Sequence, residues 1–248
     1  MDFARHLNEE QLRAVTAPPG PVLVIAAAGT GKTRTLTHRV AWLVRECAVD
    51  PRHILLLTFT NRAAREMLER AAHLIGGDVG GLWGGTFHHT ANRLLRRHAA
   101  LLGYGSDYTI LDEDDSLRLL RACITELGLK DKKFPKPQVL NSVFGLAANR
   151  GTPLEPVVQA HFEGHAVNVE AVLRVHALYE QRKRAQNAMD FDDLLVNGLR
   201  LLREQEAVRV RYQERMQHVL VDEYQDTNRL QADFVDLIAG RHRNLLAV

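Results

Sequence analysis

The sequence predicts an α/β protein: a parallel sheet flanked by helices and interrupted by an all-helical insertion. Three observations carry this expectation. Short apolar runs alternate with amphipathic helical patterns up to about residue 107, the strand signal fades between about 108 and 187, and the alternation returns from 188 to the end. Strands apolar on both faces and separated by helices are the mark of a buried parallel sheet.

Taken in order, PVLVIA (21–26) is a β-branched strand followed by a glycine-rich stretch. KTRTLTHRVAWLVRE (32–46) then places Leu36, Val40, Leu43 and Val44 on one helical face. HILLLTFT (53–60) reads as a second buried strand, with Asn61 able to cap a helix in which Ala64, Met67, Leu68, Ala71 and Ile75 recur at helical steps. A glycine-rich break (76–85) leads through LWGGTF into a third helix, HHTANRLLRRHAALL. In the insertion, helices are expected at 112–128, behind acidic capping residues, at 137–151, closed by Gly151, and at 168–186. The closing stretch gives a helix (190–204), a strand (218–222), a helix (228–240) and a strand (244–248).

Composition narrows the class. At 248 residues, with 46% hydrophobic and 25% charged, the chain is globular rather than disordered or fibrous. Lys plus Arg (32) nearly balances Asp plus Glu (30), so the formal charge of +2 excludes a uniformly basic nucleic-acid binder and leaves room for a local basic cleft. Cys47 and Cys123 have no CxxC spacing, and the start MDFARHLNEE is not a signal peptide. No apolar run approaches the roughly 20 residues of a membrane helix. A cytoplasmic protein without a membrane partner is expected.

The strongest motif is AAAGTGKT, Ala26 to Thr33, between a strand and a helix. Gly29 and Gly31 let the backbone curl so that N–H groups face phosphate oxygens, and the helix start adds its positive dipole end. Lys32 would reach the β- and γ-phosphates, and the Thr33 hydroxyl would hold Mg²⁺. The second motif, VLVDEYQD (219–226), delivers Asp222 and Glu223 at a strand's carboxyl end. Asp222 suits a metal ligand and Glu223 a base that orients water. An isolated acidic pair is ordinarily a solvated turn; beside a phosphate loop the two halves together read as a nucleoside triphosphatase. A third signal, LNEEQ (7–11), offers the Gln11 amide to an adenine edge, or is simply a helix start capped by Asn8.

With these residues in view, the chain resembles the UvrD/Rep/PcrA group of superfamily 1 DNA helicases. LNxxQ, AxxGTGKTR, TFTNRAAREM (58–67), GTFH (85–88), DFDDLL (190–195) and VDEYQD (221–226) occur in that group's order. The resemblance implies a RecA-like P-loop domain 1A over residues 1–107 and 188–248, and a helical domain 1B over 108–187. It implies ATP and Mg²⁺ as cofactors. Gln11 becomes the adenine reader, and Ala26, Ala27, Ala28, Gly29, Thr30, Gly31, Lys32 and Thr33 become the triphosphate cradle, with Arg34 a further nucleotide contact. Asp222 and Glu223 become the metal and water residues, while Gln225 couples nucleotide state to motion. Phe59, Thr60 and Asn61, with Thr86, Phe87 and His88, become contacts to single-stranded DNA. Physically, strand ends meeting helix starts offer hydroxyls and free N–H groups to phosphates, and an aromatic ring can stack on a base. Helix capping by Asn61 and Thr86 and core packing of the two phenylalanines are the alternatives.

Ala27 replaces a frequent glycine, and His89 stands where the group usually has Ser. Asn61 fits this group better than the RecB/AddA helicase–nucleases. The basic runs KDKK and RKR (182–184) read as solvated surface, and DEDD (112–115) and DFDD as helix-start caps rather than metal sites. Because the chain stops within the apolar run NLLAV, it is expected to be the amino-terminal part of a longer polypeptide. By itself it is expected to bind nucleotide weakly, hydrolyse it slowly and unwind nothing. The resemblance further implies 3′-to-5′ movement, single-strand/duplex junctions as substrates, and repair or replication proteins as partners. A P-loop kinase acting on a metabolite and a non-catalytic DNA-binding or docking module are the competing readings.

Overall fold

The computed structural model describes residues 2–248 other than Ala28, Asp78, Lys130 and Lys132. In chain order its elements are α1 (Phe3–His6), α2 (Glu9–Val15), β1 (Val22–Leu23), α3 (Lys32–Arg45), β2 (Ile54–Thr58), α4 (Asn61–Ile75), β3 (Trp83–Thr86) and α5 (Phe87–His98). There follow β4 (Thr109–Ile110), α6 (Glu113–Glu126), α7 (Pro137–Arg150), α8 (Leu154–His161), α9 (Val169–Ala185) and β5 (Ala188–Met189). The chain closes with α10 (Phe191–Glu204), α11 (Glu206–Arg215), β6 (His218–Val221), α12 (Arg229–Ala239) and β7 (Leu245–Ala247).

The chain forms two compact units. The first holds residues up to Thr90, Leu202–Thr227 and Gln231–Val248. Its five strands run in the order β1-β7-β6-β2-β3, all parallel. Every residue of β2 is buried, which matches the unbroken ILLLT run. Leu36, Val40 and Leu43 of α3 and Met67 and Ala71 of α4 join Ile54, Leu56, Leu220 and Leu246 in one apolar cluster. Burying such side chains contributes about 1.5–3 kcal/mol each.

The second unit holds Ala91–Leu201 and Asn228–Leu230. In it α6 packs on α7 and α9, and α8 lies against α7 and α9. Leu120, Cys123, Leu140, Val143, Phe144, Val172, Val175 and Tyr179 form their core. The strand signal does not vanish completely, because β4 and β5 pair in parallel, Thr109 with Ala188 and Ile110 with Met189. The dividing lines fall inside α5 and α10, at Thr90 and Leu201, whereas the loss of strand pattern alone pointed to 107 and 187. Hydrophobic periodicity marks where strands stop; packing marks where a unit starts.

Two local expectations change. The first strand is only two residues long, with Leu23 65% and Ile25 91% exposed, because β1 lies at the end of the described sheet and pairs on one side. Asn61 is the first helical residue rather than the cap: Thr60 is extended (φ −123°) and its hydroxyl accepts from the Ala63 N–H. The segments α1, α8 and α11, too short or weakly amphipathic to register in the pattern, are additional helices.

Candidate functional site

A parallel sheet puts the carboxyl ends of all its strands on one edge, where ligands of open α/β sheets bind. Four loops of the first unit leave that edge here: Ala26–Gly31 after β1, Phe59–Thr60 after β2, the junction of Thr86 with Phe87 after β3, and Asp222–Glu223 after β6. Register holds β2 and β6 level, with Leu57 opposite Val221 and the Asp222 N–H bonded to the Leu57 carbonyl at 2.9 Å.

The glycine loop and the acidic pair meet. Lys32 Nζ lies 2.6 Å from Glu223 Oε2, although 191 positions separate them. Gly29 (φ +80°) and Gly31 (φ +92°) both adopt the left-handed backbone that glycine alone takes without strain. Gly31 caps α3, so the open N–H groups of the first turn start beside Lys32. Thr33 is half-buried there and its carbonyl accepts from Thr37 Oγ1 at 3.0 Å. Ala26 lines a cavity of about 510 Å³ with Lys32, Tyr224, Gln225 and Val248, within the size class of small-molecule sites. Ala27 is exposed and its carbonyl accepts from Thr30 Oγ1 at 2.7 Å. Ala28 lies outside the described residues.

Gln11 reaches the same loop: its Nε2 donates to the Thr30 carbonyl at 2.9 Å. Arg34, exposed on the first turn of α3, donates to the His6 carbonyl. Tyr224, which the sequence did not single out, fastens the acidic turn by donating its N–H to the Val248 carbonyl at 2.8 Å.

Glu223 itself is left-handed (φ +51°), a conformation costing a non-glycine residue on the order of 1–2 kcal/mol. Hydrogen bonds from Lys32 and then Gln225 lower its carboxyl pKa, and the bond to Glu223 raises that of Lys32. Asp222 behaves in the opposite way: burial, followed by the adjacent Glu223, raises its pKa. Its Oδ1 is buried with no hydrogen-bond partner among the described residues. An orphaned buried carboxylate oxygen is costly, and it is the donor a hard divalent cation takes. Asp222 with the Thr33 hydroxyl at the start of α3 therefore fits Mg²⁺, which would supply charge neutralisation for a triphosphate.

The remaining two loops differ from each other. Thr60 is exposed at the N-terminus of α4, while Asn61, also exposed, opens the helix. Thr86 Oγ1 accepts from the His89 N–H at 3.1 Å, so its hydroxyl serves α5, and His88 is half-buried beside it. The Phe59 and Phe87 rings pack 5.6 Å apart at 56°. Phe87 is only 1% exposed, so its ring is core and supports Phe59 rather than offering a face to a base; the contact role attached to Phe87 is corrected to that extent. Half-buried Phe59 keeps part of its surface outside.

Residues 7–248 match the model of the UvrD/REP helicase N-terminal domain. The chain belongs to that family. It is 37% identical over 243 residues to the ATP-dependent DNA helicase PcrA of Staphylococcus aureus, covering 98% of this chain. The same-named protein of Staphylococcus epidermidis is 36% identical over 246 residues, or 99% of this chain. In both cases the chain spans 33% of the relative's length.

Three other runs of this UvrD/REP-family chain find structural employment. In DFDD, the Asp190 N–H donates to Asp193 Oδ2 at 3.0 Å and the Asp193 N–H to Asp190 Oδ1 at 2.9 Å, a reciprocal cap of α10. The run RKR is solvated surface only in part: Arg184 is exposed and Arg182 half-buried, but Lys183 is not. Lys183 is 2% exposed and its Nζ lies 2.7 Å from each of Glu180, Asp190 and Asp193. Arg182 pairs with Glu126, and Arg184 donates to the Leu102 carbonyl at 2.6 Å. Glu180, Asp190 and Asp193 come close enough to hold a cation; the Lys183 ammonium already fills that place. In DEDD, Asp112 caps α6 through Asp115, as its position implied.

Proposed function

We propose that the chain is the ATP- and single-stranded-DNA-binding amino-terminal portion of an ATP-dependent DNA helicase. The observation that carries the proposal is the meeting of Lys32 with Glu223 beside Asp222, at the mouth of the glycine loop. The cofactors are ATP and Mg²⁺. Gln11 and Arg34 would hold the nucleoside end and the loop from Ala26 to Thr33 the phosphates, with Thr33 and Asp222 as the metal ligands. Bound Mg²⁺ would draw off phosphate charge. When the triphosphate engages Lys32, the ammonium leaves Glu223, whose carboxylate is then available to orient and deprotonate water. Gln225, hydrogen-bonded to Glu223 here, would sense that exchange. On this reading the first compact unit is the body of domain 1A, and the second contains the helical domain 1B.

Beside this pole, Phe59, Thr60, Asn61, Thr86 and His88 would follow a DNA strand, with hydroxyls and helix-start N–H groups on phosphates and Phe59 against a base. Phe87 would contribute from beneath, by holding Phe59. Successive ATP cycles would then drive 3′-to-5′ movement along single-stranded DNA and opening of single-strand/duplex junctions. On this reading the protein works in the cytoplasm, in DNA repair or replication, with the proteins of those processes. No helix among the described residues is long and apolar enough to cross a membrane.

The deciding experiment measures ATP hydrolysis by the polypeptide in which this chain works, with and without single-stranded DNA. Stimulation by DNA, lost in Lys32→Ala while DNA binding persists, is the expected result. Phosphate transfer to a small acceptor, with no response to DNA, would replace the helicase reading by a kinase.

A further inference from the structure

Gln11 carries more hydrogen bonds than recognition of a base requires. Its side chain closes a capping box on α2: the Gln11 N–H donates to Asn8 Oδ1 at 2.8 Å and its own Oε1 accepts from the Asn8 N–H at 3.2 Å. That fixes the carboxamide's orientation from a helix end. The other end, Nε2, donates to the Thr30 carbonyl at 2.9 Å, at the apex of the glycine loop. The remaining bonds of Thr30 stay inside the loop, from Oγ1 and N–H to the Ala27 carbonyl at 2.7 and 3.4 Å. Among the described residues, none other than its chain neighbours lies within 4 Å of where a side chain on Gly29 would start, so the loop has open space on that flank.

A trans peptide points its C=O and the following N–H in opposite directions, and no peptide bond among the described residues is cis. Pinning the Thr30 oxygen towards α2 therefore turns the Gly31 N–H the other way. We infer that Gln11 is a positioning residue for the phosphate cradle: its amide, braced by Asn8, orients the Thr30–Gly31 peptide so that the Gly31 N–H is presented to a phosphate oxygen before nucleotide arrives. The inference rests on the nucleotide reading above and goes beyond base recognition.

The inventory of the amide permits both tasks together. A carboxamide has two N–H donors and an oxygen with two lone pairs, and only one of each is engaged here. A base edge can take the second pair without disturbing Thr30. Gly31 belongs to the same constraint: a Cβ there would come within 2.8 Å of Gln11 Nε2, so a side chain at Gly31 and the strut exclude each other.

The discriminating ligand has phosphates and no base. Binding of Mg²⁺–tripolyphosphate and of Mg²⁺–ATP to the whole chain is measured by calorimetry for the unmodified protein, Gln11→Ala and Gln11→Met, with melting midpoints alongside. Methionine retains the bulk and loses the donor. Expected is a loss of about fivefold in tripolyphosphate affinity in both variants, the scale of one hydrogen bond, a larger loss for ATP, and a small fall in melting midpoint common to both variants, from the lost capping bond to Asn8. Tripolyphosphate binding that stays at the unmodified level while ATP binding falls would confine Gln11 to the base and overturn the inference. Loss in Gln11→Ala with recovery in Gln11→Met would reduce the contact to packing and overturn it as well. A fall in melting midpoint large enough to leave either variant partly unfolded at the assay temperature, with binding recovered on cooling, would mark a fold effect and reject the positioning role. Failure of the unmodified chain to bind either ligand would instead bring down the nucleotide reading itself, a separate result.

Discussion

Two lysines of this chain sit among carboxylates at similar distances, and their surroundings make them different objects. Lys183 Nζ is 2.7 Å from Glu180, Asp190 and Asp193, and Tyr179 Oη donates to Asp190 at 2.9 Å. Burial works against the charge on Lys183, yet those carboxylates more than offset it, and its pKa is raised. Lys32 Nζ is 2.6 Å from Glu223, but Glu223 is 42% exposed, and the neighbouring Asp222 keeps a buried oxygen without a partner. The first cluster is closed in its hydrogen bonding rather than in its charge: the one Lys183 ammonium serves three carboxylates, and burial, then Asp190, push Asp193 up to about 7. The second is open, with a carboxylate oxygen whose bonding capacity is unused and a lysine that a stronger anion can take over. Charge clusters thus divide by whether their hydrogen-bonding capacity is consumed, and only the unfinished one is suited to a ligand.

Breaking the closed cluster should have the largest effect. Lys183→Met strands Asp190 and Asp193 in a buried setting and should cost about 3–5 kcal/mol, as for other buried pairs that lose one partner. Thermal melting checks this, and adding Asp190→Asn with Asp193→Asn should restore much of the loss. A cost below about 1 kcal/mol would show that the cluster is solvated like any surface group.

A third titratable group, half-buried, sharpens the contrast, since it lies at the opposite end of the strand that delivers Asp222. Burial, then Arg39, His242 and His53, lowers the pKa of His218 to about 4. The folded form thus resists protonation while the unfolded chain takes a proton near pH 6.5. Stability is fully present above about pH 6.5 and falls as the pH drops towards 4. Denaturant melts between pH 7 and pH 4 measure it, and His218→Gln should flatten that part of the profile.

Smaller effects on the fold are expected at the open cluster. Lys32→Ala should weaken Mg²⁺–ATP binding by roughly ten- to a hundredfold, the scale of hydrogen bonds to a charged group, with no measurable change in melting midpoint. A marked loss of stability would mean that Lys32 is structural, like Lys183. Asp222→Asn should shift the melting midpoint slightly upwards, because it removes a charge that burial and Glu223 both disfavour. Mg²⁺-dependent nucleotide binding should fall in the same variant.

The open site was largely legible in the sequence and the closed one was not. Gly29, Gly31, Lys32 and Thr33 are contiguous, and their backbone demands are written into residue type. Asp222 and Glu223 follow an unmistakable strand. The burial of Lys183 had no local mark, because RKR looks alike whether it faces water or three carboxylates. Thr60 displaced Asn61 as the cap for a similar reason: both residue types can cap, and which one does is set by where β2 lets the chain turn. Phe87 was equally ambiguous, since an aromatic after a strand end suits stacking and core alike until its neighbour Phe59 is placed.

Local chemistry therefore determined the elements, the phosphate loop and the acidic strand end, because φ preferences, periodicity and charge act within a few residues. The strand order β1-β7-β6-β2-β3, the 2.6 Å meeting of Lys32 with Glu223 and the enclosure of Lys183 were decided only in three dimensions. Each of them depends on burial and on partners far away along the chain, and in a folded protein those two quantities set the free energy of a charge.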